Sequence, residues 1–131
     1  MNRVLWAAQI VAGVFFIYVG ISHFILPEGL PAFMSWMYDL STTVHVISGA
    51  AELLGGLGLI LPAVTRIQPQ LVPLAAAGLA VVMLGAIIYH VSREEFSNVG
   101  ANVMWALVTG FIAYGRSRLV PIPAKGAQAS S

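Results

Sequence analysis

The sequence predicts an all-α protein: a bundle of four transmembrane helices, both termini cytoplasmic, with a short interfacial helix between helices 1 and 2. Three observations lead there. First, the 131-residue chain is 59% hydrophobic and only 8% charged, with a mean hydropathy of +0.88. A soluble domain carries about 25% charged residues to cover its surface. Second, four apolar stretches each approach the ~20 residues that carry an α-helix across a ~30 Å hydrocarbon core. Third, the basic residues are unevenly divided between the connecting segments.

The stretches are 4–26, 44–61, 71–89 and 99–114. The first exceeds the apolar region of a signal peptide and no small-residue cleavage site follows it, so it reads as a span. Pro27, Pro62, Pro69 and Pro121 mark the span ends, where a missing N–H costs least. Ser41-Thr42-Thr43 supplies capping side chains for the second span. Residues four apart, such as Ala8/Ala12, Ala51/Gly55, Ala76/Ala80 and Ala106/Gly110, let helices approach closely in lipid.

Arg3, Arg66, Arg116, Arg118 and Lys125 fall on one side of this topology and only Arg93 on the other. The positive-inside rule then predicts cytoplasmic termini. Residues 1–118 make the four-helix membrane domain, and 119–131, small and polar, read as a disordered cytoplasmic tail. Residues 27–40 carry Leu30, Phe33, Met34 and Met37 at helical spacing, beside Trp36 and Tyr38. That pattern suits a helix in the interface plane. It serves either as an aromatic anchor or as a lid built from Phe33, Met34, Trp36 and Met37.

Some functions are excluded. A net charge of +1 offers no basic patch for nucleic acid. The absence of cysteine excludes disulfides, thiolate metal sites and thiol redox chemistry.

Polar residues inside a span are costly and mark functional candidates. In the second span His45, Ser48 and Glu52 fall within about 60° of one another at 100° per residue. Asn98, Asn102, Trp105 and Thr109 share a stripe of the fourth span. His90 ends the third span, and His23 aligns with Gly20, Phe16 and Gln9 on the first. Because successive spans alternate in direction, the histidines, Glu52, Asn98 and Asn102 gather in the outer half. The inner half holds little beyond Gln9 and Thr109. The expected partners of Glu52 are Asn102 and His90, with His45 above them.

Each candidate also has a purely structural reading: Glu52 as a neutral acid locking spans two and four, His23 and His90 as interfacial residues, His45 as part of a helix entry. The histidines and carboxylate are metal-ligand types, and a histidine pair suits a haem. No local spacing motif supports either, and no metal site is assigned.

The run Gly49-Ala50-Ala51-Glu52-Leu53-Leu54-Gly55-Gly56-Leu57-Gly58-Leu59-Ile60-Leu61-Pro62 resembles the second-helix signature of the DoxX-like membrane proteins. Residues 74–90, with Met83-Leu84-Gly85-Ala86 and the terminal His90, resemble their third helix. Ala113-Tyr114-Gly115-Arg116 resembles the end of their fourth, so the likeness spans roughly residues 4–118. It implies a four-helix protein of the bacterial or archaeal plasma membrane, with Glu52, His90 and Asn102 as carried-over residues. Where many relatives have a lysine near the end of the first helix, this chain has Ser22-His23. The family's namesakes are associated with terminal-oxidase and thiosulfate:quinone oxidoreductase systems.

The reading that joins these strands is a redox-linked membrane subunit with a quinone as its cofactor. Its partners would be the lipid bilayer and either further copies of itself or a larger membrane redox complex. Two alternatives stay open: a small-molecule or lipid-binding protein or minor transporter, and a structural or assembly subunit. Whether the chain catalyses a reaction is also open.

Overall fold

Local hydropathy dictates four helices, and the computed structural model contains them: α1 (Asn2–Ile25), α2 (Thr42–Thr65), α3 (Leu71–Ser92) and α4 (Phe96–Tyr114), the last continued by a π-helical turn, Gly115–Leu119. A 3-10 helix, η1 (Ala32–Asp39), joins α1 to α2. The structure describes residues 1–26 and 28–126, without the side chain of Phe33. Pro27, the Phe33 side chain and residues 127–131 lie outside the described residues. Among those described there is no strand.

All four helices are long and apolar enough to cross a membrane. At 1.5 Å per residue the 24-residue helices reach about 36 Å, more than the apolar stretches alone required. Ile47, Leu54, Val64, Val81, Ile88 and Leu107 are exposed on the outside of the bundle, the surface that lipid covers in a multi-pass membrane protein.

α1 packs mainly on α2, and α3 on α4, while α1 and α4 meet more sparingly. The α1–α2 contact is set by glycines seven residues apart. A Cβ on Gly20 would stand 2.6 Å from the backbone nitrogen of Leu53, and one on Gly56 would stand 2.8 Å from the Gly13 carbonyl. No real side chain tolerates such contacts, so hydrogen at these positions is what lets the helices touch. The four-apart pairs noted in the sequence contribute less. Gly110, for example, meets nothing within 4 Å.

Pro62 does not end the second helix. It is buried inside α2, which continues to Thr65. The ring removes only the bond that the Gly58 carbonyl would accept, a loss confined to the helix's last turns. As expected, Ser41 caps α2, its side chain accepting from the Val44 N–H at 3.3 Å. Part of the segment expected to be a disordered tail lies against the bundle. Ile122 packs on the core and the Lys125 N–H donates to the Arg66 carbonyl at 2.7 Å.

Candidate functional site

The bundle has two ends. One carries η1 and the α3–α4 loop and is called the loop end here; the other carries both termini. At the loop end, η1 turns inward. Met34 and Met37 are three residues apart, so in a 3-10 helix they eclipse on one face. Both are buried, with Val19 beside them and Phe15, Leu26 and Leu30 around. Trp36 is thereby set over the bundle interior. Its ring centroid is 5.1 Å from that of His90 and 6.1 Å from that of His23.

Beneath Trp36 lies a row of titratable side chains. The α1–α2 glycine contact creates it: Gly49 lies under His23, where a Cβ would stand 2.8 Å from the His23 Cβ. His23 is thus pressed against α2 between His45 and Glu52. Its Nδ1 is 2.9 Å from His45 Nδ1, and its Nε2 is 3.1 Å from Glu52 Oε2. The first contact is a hydrogen bond. The second is close but off line, and neither atom has another hydrogen-bond partner among the described residues. His23 and Glu52 are buried, while His45 is half-buried at the mouth.

The partner of Glu52 is therefore His23 and not Asn102 or His90, as the helical wheel suggested. Face and depth were read correctly for each helix, but they do not say which neighbour a helix turns toward. His90 instead pairs with Glu95 in the α3–α4 loop, at 3.1 Å from Nδ1. Arg93 holds the same carboxylate oxygen at 3.2 Å and reaches Asp39 on η1 at 3.8 Å. This charged network fastens η1 to the loop beyond it. Glu95 was missed because it lies in a loop, outside any span.

Two cavities flank Glu52. One of about 270 Å³ lies toward α2 and α3 and is lined by His23, Ser48 and His90 among others. The other, about 280 Å³, lies toward α1 and α4 and is lined by Phe15, Asn98, Asn102 and Trp105 among others. Trp36, Glu52 and Ala86 belong to both walls. In the second cavity Phe15 and Trp105 stack face to face, 4.2 Å apart and 13° from parallel. Asn102 Nδ2 is buried there with no hydrogen-bond partner among the described residues. Its wall includes the exposed Met104 on α4. The candidate residues thus divide: His23, Ser48 and His90 on one side of Glu52, Asn102 and Met34 on the other. His45 touches His23 from above, and Met37 lies in the packing under η1.

Among the described residues no three His, Asp or Glu side chains group closely enough to hold a metal ion. His23, His45 and Glu52 form a row and not a cage.

At the opposite end, where the sequence offers little beyond Gln9 and Thr109, the structure adds Arg116, expected only to follow the last span. Arg116 is only 2% exposed. It donates to Gln9 Oε1, to Asn2 Oδ1 at 2.8 Å and to the Val120 carbonyl at 3.0 Å. Gln9 in turn donates to the Leu59 carbonyl at 2.9 Å. The π-helical turn widens the end of α4, and Gly115 lets it close on Leu5, whose side chain would be 2.5 Å from a Cβ there.

A model of the DoxX-like family matches residues 7–112. The chain belongs to that family. No curated protein and no solved structure matches it.

Proposed function

As a member of the DoxX-like family, the chain is a small multi-pass membrane protein, and we propose that it is a redox-linked subunit that holds a quinone at the loop end. The second cavity carries this reading. It combines a flat aromatic wall, Phe15 on Trp105, with an unpartnered amide donor, Asn102 Nδ2, and a titratable carboxyl, Glu52. A planar ring with carbonyl groups needs those three things: a face to stack on, a donor for one oxygen, and a group that exchanges a proton. Cavities for small ligands usually start near 300 Å³, so about 280 Å³ suits a ring head and not a whole lipid-tailed molecule. The tail would leave past Met104, through the sparse α1–α4 seam, into lipid.

A bound quinone supplies the two-electron chemistry; the electrons come from a partner oxidoreductase in a larger membrane complex. This chain's residues do the rest. Trp105 and Phe15 orient the ring, Asn102 holds an oxygen, Trp36 closes the site against water, and Glu52 exchanges a proton. The charge asymmetry supports a loop end that faces outward from the plasma membrane of a bacterium or archaeon.

Binding of a fluorescent quinone analogue to the purified protein tests this. Asn102→Leu should weaken binding about tenfold, the equivalent of ~1.4 kcal/mol for one hydrogen bond. Glu52→Ala should weaken it at least as much. Wild-type affinity in both variants would remove the proposal.

A further inference from the structure

The row His45–His23–Glu52 has an order that packing alone does not require. Each member meets the next through a polar atom, His45 also facing the Met37 backbone, and exposure drops from half-buried His45 to buried His23 and Glu52. His23 uses both ring nitrogens, Nδ1 toward His45 at 2.9 Å and Nε2 toward Glu52 at 3.1 Å. We propose that the three side chains form a proton relay that connects water at the loop end to Glu52 at the cavities. The inference rests on reading Glu52 as the proton-exchanging group of the ligand site.

The proton count follows from imidazole chemistry. Two Nδ1 atoms at hydrogen-bond distance share one proton, so one ring donates and the other accepts. In one state His45 Nδ1–H donates to His23 Nδ1, and His23 Nε2–H faces an ionised Glu52. A proton taken from water by His45 Nε2 is followed by transfer of the Nδ1 proton to His23 and of the Nε2 proton to Glu52 Oε2. The product has Nε2–H on His45, Nδ1–H facing His45 on His23, and a protonated Glu52. One proton has entered and one has arrived, and no bond to carbon or nitrogen other than N–H has changed. Glu52 then gives its proton to the ligand.

A small turn of either side chain brings Nε2 and Oε2 into line. Neither atom has a hydrogen-bond partner among the described residues, so nothing there competes for the proton that would pass across the 3.1 Å between them. Before a second proton passes, both rings must return their N–H to the side facing Glu52. His45 does so in contact with water. His23, 4% exposed and pinned over Gly49, is the slow member. Two other titratable groups lie near the row: His90 shares a cavity wall with His23 and Glu52 but its Nδ1 is held by Glu95, and Asp39 reaches toward Arg93.

The test needs no ligand. The full chain in lipid nanodiscs is given a rapid pH drop, and protonation of Glu52 is followed by the infrared carbonyl band that Glu52→Gln abolishes. Two variants remove the entry point: His45→Ala, and His45→Phe, which keeps the ring that packs edge-on to His23 at 5.2 Å. Both should slow protonation by about a hundredfold, the scale of losing a positioned proton donor. Added imidazole should restore the rate in His45→Ala and not in His45→Phe, where the ring fills the space. A wild-type rate in either variant overturns the relay, as does a slowing in His45→Ala that imidazole leaves unchanged. Failure to bind a quinone analogue would remove the ligand proposal while leaving this result intact. A broken relay beside intact binding would leave Glu52 a ligand-holding group only.

Discussion

The two ends of the bundle each bury a polar cluster, and the clusters differ in kind. At the terminal end Arg116 is charged at every accessible pH, held by neutral oxygens of Asn2, Gln9 and Val120, with its guanidinium 5.4 Å from the Trp6 ring centre. It ties the first turns of α1 to the last turn of α4. At the loop end the buried side chains His23, Glu52 and His90 are of titratable type and line a cavity, with His45 against His23 at its mouth. All acidic side chains of the chain, Glu28, Asp39, Glu52, Glu94 and Glu95, belong to the loop end or the half of α2 nearest it. Buried polar groups therefore stand in two different settings in one small bundle. A fixed charge whose Nε and Nη1 are held by neutral oxygens, with Nη2 alone unpartnered among the described residues, fastens helices. Titratable groups with unfilled hydrogen bonds next to open space suit the proton exchange proposed for Glu52.

The largest expected effect separates these settings by stability. Arg116→Met leaves the oxygens of Gln9, Asn2 and Val120 without donors, at about 1–3 kcal/mol for each that stays buried. We expect a loss of roughly 3 kcal/mol in a denaturant titration of the membrane protein, with proton exchange at Glu52 unchanged in the folded fraction. A loss below about 1 kcal/mol would show that the terminal cluster is not a fastener.

Glu52→Gln is the converse. Glutamine keeps the size and most of the hydrogen bonding, so stability should change by no more than about 1 kcal/mol. Proton delivery to the cavity should vanish, and any quinone-linked turnover with it. Retained turnover would reduce the carboxyl to a packing group and make the two ends alike.

The smallest perturbation assigns each end to a compartment. The chain has no cysteine, so single-cysteine variants label cleanly. Thr43→Cys lies at the loop end and Gln70→Cys at the terminal end, and both native residues are exposed. Surface substitutions of this kind shift stability by about 0.5 kcal/mol or less. In intact cells a membrane-impermeant maleimide should modify Thr43→Cys and reach Gln70→Cys only after lysis. The reverse pattern would turn the bundle over and place the relay's entrance in the cytoplasm.

Hydropathy and residue period sufficed for the four spans, for the family likeness and for the gathering of His23, His45, His90, Glu52 and Asn102 at one end. These are properties of single helices, set by which residues are apolar and by 1.5 Å and 100° per residue. The same local signals placed Met34 and Met37 on the buried side of η1. What needed the tertiary structure was every question of which neighbour. Glu52 meets His23 because Gly20, Gly49 and Gly56 bring α1 against α2, and a wheel drawn for α2 alone contains no information about α1. Arg116 reads as a cytoplasmic flank until the π-helical turn carries it back onto Asn2 and Gln9. The cavities on either side of Glu52 exist only where four helices and η1 fail to fill the space between them. Helix rotation and pairing are decided by close contacts far apart in sequence, and those contacts, not hydropathy, determine what the polar residues can do.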